Sequence, residues 1–231
     1  MKNKKPLGCK NYGSIGHLPC SRMGPADHKI TEGQERIATS KKRDKHDVIV
    51  VQEKLDGSNV GVAMKDGILY ALSRAGYEAK TSPYETHRAF DRWVRANEDR
   101  FLTVVKEGER LCGEWLHTAH GTIYDLPHEP FVAFDLFTQD NQRVTYEQLL
   151  NRVNDNFVIP HLVSIGDPVS VEEALAHLGE FGFHGATEEI EGAVWRVERK
   201  GVVDYLCKYV RPNKIDGKYL GENGPILNTW P

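Results

Sequence analysis

The sequence predicts an α+β fold with mainly antiparallel sheets flanked by helices. Short apolar, strand-like runs come in groups, and segments with helical spacing are inserted between the groups. Two of the joints are glycine turns of hairpin type, Lys65-Asp66-Gly67 and Arg199-Lys200-Gly201. With 231 residues, the chain can bury a substantial core as one large domain or two small ones.

Taken in order, Gly8 to Asp27 is dominated by Gly, Pro and polar residues and reads as an irregular lead-in. From Val48 the pattern turns to strands: VIVVQE, NVGVAM and, after the Lys65-Asp66-Gly67 turn, ILYALS. A three-strand meander built around EKLDG is the simplest arrangement of these three. Tyr84 to Lys106 carries Phe90, Trp93, Val94, Phe101 and Val105 near helical spacing, as one helix or two short ones. RLCGEWL and FVAFDLF read as strands, Tyr146 to Val153 and Val171 to Leu178 as helices, and GAVWRVE and VVDYLCKYV as a closing hairpin. The expected organisation is a basic N-terminal segment over 1–47 packed on the core, a core domain over 48–211 and a short tail over 212–231.

Hydrophobic content of 39% with 27% charged residues is that of an ordinary soluble globular protein. No apolar stretch approaches the ~20 residues that span a bilayer. The start, MKNKKPLGCKNYG, has no apolar segment behind it and does not read as a secretory signal, so a cytoplasmic location is the default expectation. Cys9, Cys20, Cys112 and Cys207 are scattered without a CxxC pair, as ordinary thiols in a reducing compartment are. Cys9, His17 and Cys20 lack a fourth ligand at metal-site spacing. The formal net charge is −3, yet residues 1–47 hold a local positive excess, with Lys2, Lys4, Lys41, Lys42 and Arg43 among its cations. Such an excess holds a polyanion by counterion release, or is a solvated basic arm.

EKLDGSN, at 53–59, places a lysine and an aspartate at the end of a strand, and KIDG at 214–217 repeats the spelling. A hairpin with exposed charges is the plain reading of either. The chemical reading is an amine kept neutral by nearby cations or desolvation, able to attack an electrophile. Glu114 in CGEW, Asp135 in FDLF and Glu191 in EGAV each set a carboxylate at the edge of an apolar strand, where an unpaired charge is costly. Hard oxygen ligands in that setting suit Mg²⁺ or Mn²⁺ bound together with phosphates. Lys208 adds a cation to the last strand, and Phe134 is either a core aromatic or a ring that stacks on a base.

EKLDGSN, LSR, LCGEW, FVAFDLF, EGAVWR and YLCKYV stand in the order of nucleotidyltransferase motifs I, Ia, III, IIIa, IV and V. Together they resemble the covalent nucleotidyltransferase superfamily of ATP-dependent ligases and capping enzymes. The asparagine of KxDGxN, the Phe-Asp of motif IIIa and GTIYDLP are most similar to the RNA ligase family typified by RNA ligase 2. The resemblance covers about 48–211 and implies an ATP-grasp-like nucleotidyltransferase domain with its nucleotide site between the sheets.

It also implies an ATP-dependent RNA ligase. Lys54 attacks the α-phosphorus of ATP to form lysine-AMP, AMP passes to a 5′-phosphate, and a 3′-hydroxyl then seals the strand. Catalysis falls to Lys54, Asp56 and Lys208. Nucleotide contacts fall to Glu53, Lys54, Asn59, Arg74, Glu114 (ribose), Phe134 (adenine), Glu191 and Lys208. Mg²⁺ or Mn²⁺ is expected on Asn59, Asp135 and Glu191, and RNA on Arg74, Arg211, Lys41, Lys42 and Arg43.

Two departures stand out. Motif V usually reads KxK, whereas Lys208 is followed by Tyr209, Val210 and Arg211, so Arg211 is one candidate replacement. About 20 residues follow motif V, too few for an appended oligonucleotide-binding barrel. End-sealing then depends on the basic segment or on a partner such as an end-healing kinase or phosphatase acting on nicked or broken RNA. A capping guanylyltransferase, a DNA ligase-like enzyme and a non-catalytic RNA-end-binding protein are the alternatives. Lys214 is expected to be a surface or RNA-facing lysine.

Overall fold

A computed structural model describes residues 5–221 and 224–231. Lys2 and Lys4 of the basic segment lie outside the described residues. The chain forms two compact units, each crossed by several stretches of sequence.

The first unit combines the described part of Met1–Gly13 with Gly57–Thr118 and Glu129–Ile159. Its sheet has the order β4-β3-β5-β6 and contains β3 (Ser58–Lys65), β4 (Ile68–Ser73), β5 (Arg110–Trp115) and β6 (Phe131–Phe137), every pair antiparallel. The β3–β4 turn has φ of 53° at Asp66 and 72° at Gly67, the double left-handed geometry that the Asp-Gly spelling favours in a tight hairpin. The helices are α2 (Glu85–Ala96), α3 (Glu98–Val104) and α4 (Tyr146–Val153), so the 84–106 pattern resolves into two helices broken at Asn97. Helix α4 starts in a Thr145–Gln148 capping box. Phe90, Phe101, Trp115, Phe131 and Phe157 form the aromatic centre of this unit's core, with ring centroids 4.5–5.8 Å apart along the chain of contacts.

The second unit comprises Ser14–Asp56, Ala119–His128 and Pro160–Pro231. Its sheet has the order β1-β9-β8-β2-β7, built from β1 (Gly16–His17), β2 (Asp47–Lys54), β7 (Leu162–Gly166), β8 (Gly192–Arg199) and β9 (Val202–Val210). Only β1 and β9 pair in parallel. Helices α1 (Glu32–Thr39) and α5 (Val171–Leu178) belong to this unit, both opened by capping boxes. The β8–β9 turn repeats the left-handed pair, with φ of 51° at Lys200 and 78° at Gly201.

The expected meander around EKLDG does not form. Strand β2 has both edges occupied, by β8 and β7, whereas β3 pairs with β4 and β5 in the other sheet. The unit boundary falls between Asp56 and Gly57, inside the EKLDG cluster. Two strands and one α-helix escaped the pattern reading: β1 has only two residues, β7 is largely half-exposed, and α1 has a mostly polar, exposed surface.

Candidate functional site

The second unit carries the lysine cluster. Lys54 is the last residue of β2 and lies opposite Gly192 at the start of β8. That register delivers Glu191, and Lys54 Nζ lies 2.5 Å from Glu191 Oε2 and donates to Leu55 O at 3.2 Å. Glu191 is 6% exposed, and burial raises its pKa while the Lys54 charge opposes the rise. Gly192 has φ of 155°, and a Cβ there would sit 2.0 Å from Tyr209 O, so only glycine lets β8 approach β9 beside this pair.

Glu53 precedes the lysine and points elsewhere. Its Oε2 accepts the Phe183 N–H at 3.0 Å, and its Oε1 has no hydrogen-bond partner among the described residues. Burial pushes this carboxyl up to about 7, against the pull of the Phe183 N–H. The Glu53 N–H donates to His161 O at 3.0 Å. His161 stacks on Phe183 with centroids 3.5 Å apart, and its own N–H donates to His184 Nε2 at 3.0 Å. His128 Nε2 lies 2.8 Å from His184 Nδ1, and burial takes His184 down to about 3, which keeps the His184 ring neutral. Nothing in the spacing of these histidines marks them as neighbours of the nucleophile cluster. Only the pairing of β2 with β7 brings them in.

Lys208 lies on β9 opposite Val194, with β1 on the other side placing His17 next to it in register. The lead-in therefore follows the edge of β9. Leu18 N–H donates to Lys208 O at 2.9 Å, Arg22 N–H to Val210 O at 3.0 Å, and Val210 N–H to Ser21 Oγ at 2.9 Å. His17 is buried, with Nδ1 2.8 Å from Ser21 Oγ and Nε2 3.2 Å from Asp27 Oδ2; burial and then Lys208 lower its pKa. Arg211, just past β9, pairs with Glu189 and donates to Gly179 O at 3.1 Å.

Lys214 corrects an expectation. It is not a surface lysine: its side chain is 4% exposed and its Nζ lies 2.6 Å from Asp56 Oδ2. The turn after β9 folds it inward, where a carboxylate compensates the buried charge.

The basic positions near residue 40 are largely engaged. Arg43 pairs with Asp47 and Asp204, each at 2.7 Å, and Lys42 with Asp167 at 2.7 Å; Lys41 is exposed.

The first unit carries the other candidates. Asn59 on β3 lies opposite Glu114 on β5, and Glu114 Oε1 accepts the Gly57 N–H at 3.0 Å. Asn59 Oδ1 is shielded from solvent with no hydrogen-bond partner among the described residues. Phe134 is half-buried and meets the Tyr12 ring edge-on at 5.2 Å. Asp135 is fully buried and accepts from Tyr12 OH at 2.6 Å and Arg143 Nε at 3.0 Å. Arg74 follows β4 directly and is exposed.

Among the described residues, no group of three or more His, Cys, Asp or Glu side chains is arranged to hold a metal ion. Within its own unit, the Glu191 carboxylate is an oxygen donor of the kind that suits a hard cation, and so, in the other unit, is the unpartnered Asn59 Oδ1. Asp135 is already neutralised by Arg143. All four cysteines are free thiols, Cys112 and Cys207 buried. No helix of the described residues is long and apolar enough to cross a membrane.

The RNA ligase family model matches residues 47–210. No curated protein sequence matches. Among solved structures, a Naegleria gruberi RNA ligase variant with ATP and Mn aligns at 20% identity and a TM-score of 0.52, over 90% of this chain and 61% of that one. The same ligase with PPi aligns at 19% and 0.52, over 86% and 59%, and an apo variant at 18% and 0.52, over 86% and 61%. This chain thus spans between about half and three-fifths of the ligase chains it matches.

Proposed function

The chain belongs to the RNA ligase family, and from that premise we propose that it is an ATP-dependent RNA ligase acting through lysine-AMP on Lys54. The observation that supports this most directly is the Lys54–Glu191 pair at the end of β2, with Asp56 two residues further on. A lysine at a strand end, held at 2.5 Å by a buried carboxylate, is fixed in direction and 19% exposed, as an attacking amine needs to be.

In the first step the Lys54 ammonium gives up a proton to solvent, while Glu191 Oε2 holds the amine in direction. The amine lone pair then forms the N–P bond to the α-phosphorus of ATP, and the bond to pyrophosphate breaks. Lys208 steadies the α-phosphate and disfavours a second cation on Lys54. Glu114 takes the ribose and Phe134 the adenine face. AMP next passes to an RNA 5′-phosphate with release of the lysine. A 3′-hydroxyl then attacks that phosphorus, AMP leaves with the electron pair, and Asp56 serves these later steps.

Glu191 and Asn59 would hold a divalent cation, Mg²⁺ or Mn²⁺. When bound, it neutralises charge on the phosphates. For Asp135 we propose support of the Phe134 strand, because Tyr12 and Arg143 occupy the carboxylate. For the basic stretch we propose that Lys41 and Arg74, both exposed, meet RNA ahead of Lys42, Arg43 and Arg211, which are ion-paired. Cytoplasmic RNA repair beside an end-healing kinase or phosphatase completes the reading.

Incubation with α-labelled ATP and Mn²⁺ tests it. Label that stays on the denatured wild type through alkali and is released by acid, as a phosphoramidate requires, and that is absent from Lys54→Ala, is the expected result. Unlabelled wild type, or label that persists in Lys54→Ala, sinks the proposal. Label from GTP in preference to ATP would point to a capping enzyme instead. RNA binding without any labelling would point to an end-binding protein.

A further inference from the structure

The second KxDG cluster has no part in the mechanism above, yet its lysine reaches into the first cluster. Lys214 Nζ lies 2.6 Å from Asp56 Oδ2 and also donates to Thr122 Oγ1. The same Oδ2 accepts the Gly121 N–H at 2.6 Å, and the Asp56 N–H donates to Tyr124 OH at 3.1 Å. The arrangement is closely built. A Cβ at position 121 would sit 2.4 Å from Ile215 O, 2.8 Å from Lys214 Cε and 3.0 Å from Asp56 Oδ2, so no side chain fits there without parting the lysine from the aspartate.

Two donors thus fix one oxygen of Asp56, while Oδ1 takes no hydrogen bond from any described residue. An ammonium withdrawn from water is costly unless it is paired, and a carboxylate held by two donors loses rotational freedom. Motif V meanwhile has Val210, 4% exposed, where the KxK pattern carries its second lysine. Arg211, the next residue, is paired with Glu189, and the cation after it, Lys214, is delivered to Asp56.

We infer that Lys214 is a positioning residue: it clamps Asp56 so that Oδ1 faces the RNA end during the steps after lysine-AMP formation. The inference rests on the ligase reading above. Lys214 is tied to protein acceptors, so it acts through Asp56 and not on the nucleotide. The first step, carried by Lys54 and Glu191, does not need it.

The experiment compares two rates in the full chain: self-adenylylation with labelled ATP, and sealing of a nicked RNA duplex whose 5′ end is already adenylylated. Lys214→Met is expected to lower sealing at least 10-fold more than it lowers self-adenylylation, and Lys214→Arg to restore most of the sealing. A merely structural lysine would lower both rates together with the melting temperature. A ratio below 10 in the folded Met variant overturns the inference. If Lys214→Met does not fold, Thr122→Val, which removes only the second acceptor, decides: sealing reduced at least 3-fold more than self-adenylylation supports the clamp, and a smaller ratio overturns it. Wild-type protein that neither labels nor seals refutes the ligase reading itself, a result distinct from an active wild type with an unaffected Lys214→Met.

Discussion

Lys54 and Glu191 are 137 residues apart in sequence and 2.5 Å apart in space, joined because β2 and β8 pair in the register that sets Lys54 opposite Gly192. The pair holds the amine in one direction. Glu191→Gln keeps the shape and removes the charge. Self-adenylylation is expected to fall on the order of 100-fold, the scale of losing one preorganised electrostatic contact. Initial rates of covalent, alkali-stable labelling measure it, and a fall of less than about fivefold would mean the pair serves the fold alone.

Glu53 predicts a pH dependence of stability. Its carboxyl is raised from 4.5 to about 7 by burial, so between those values the folded chain binds a proton that the unfolded chain does not. Stability from this group therefore falls as pH rises from about 4.5 to 7 and stays reduced above that. Glu53→Gln removes the penalty. Thermal melts are expected to show a gain of about 2–3 kcal/mol, or roughly 5–10 °C, at pH 8. At pH 4.5 the two proteins should melt together, and a gain of the same size at both pH values would contradict the account.

Asn59 Oδ1 is shielded and unpartnered among the described residues, which suits a cation or its water. In Asn59→Ala the Mn²⁺ concentration for half-maximal labelling should rise roughly 10-fold, as for loss of a supporting ligand. Titrating metal at saturating ATP checks this; an unchanged midpoint would remove Asn59 from the metal site.

Tyr12 OH donates to the buried Asp135 carboxylate at 2.6 Å, while its ring meets Phe134. Tyr12→Phe keeps the ring and leaves the carboxylate short of a donor. A loss of about 1.5–3 kcal/mol in denaturant unfolding is expected, the value of a hydrogen bond to a charged group. Phe134→Ala should instead raise the KM for ATP about 10-fold through lost stacking on adenine.

Much of the fold was legible because its signals are local. Period-two runs and the turns at Asp66-Gly67 and Lys200-Gly201 marked the hairpins, and apolar spacing marked α4 and α5. The motif order singled out Lys54 from Lys214. Residues such as His161, Phe183 and His184 had no such mark, since their relevance comes only from lying beside β2.

What the sequence by itself determined, then, is the type of most elements and the short set of chemically capable side chains, because helical and strand periods and turn chemistry act over a few residues. Tertiary structure decided the rest. It sent β2 and β3 to different sheets, laid the lead-in along β9, desolvated Glu53 and closed Lys214 onto Asp56. Each of those depends on which distant strand takes an open edge and which charge is left to be buried, and partner choice of that kind is settled by hydrogen bonding and desolvation across the whole unit.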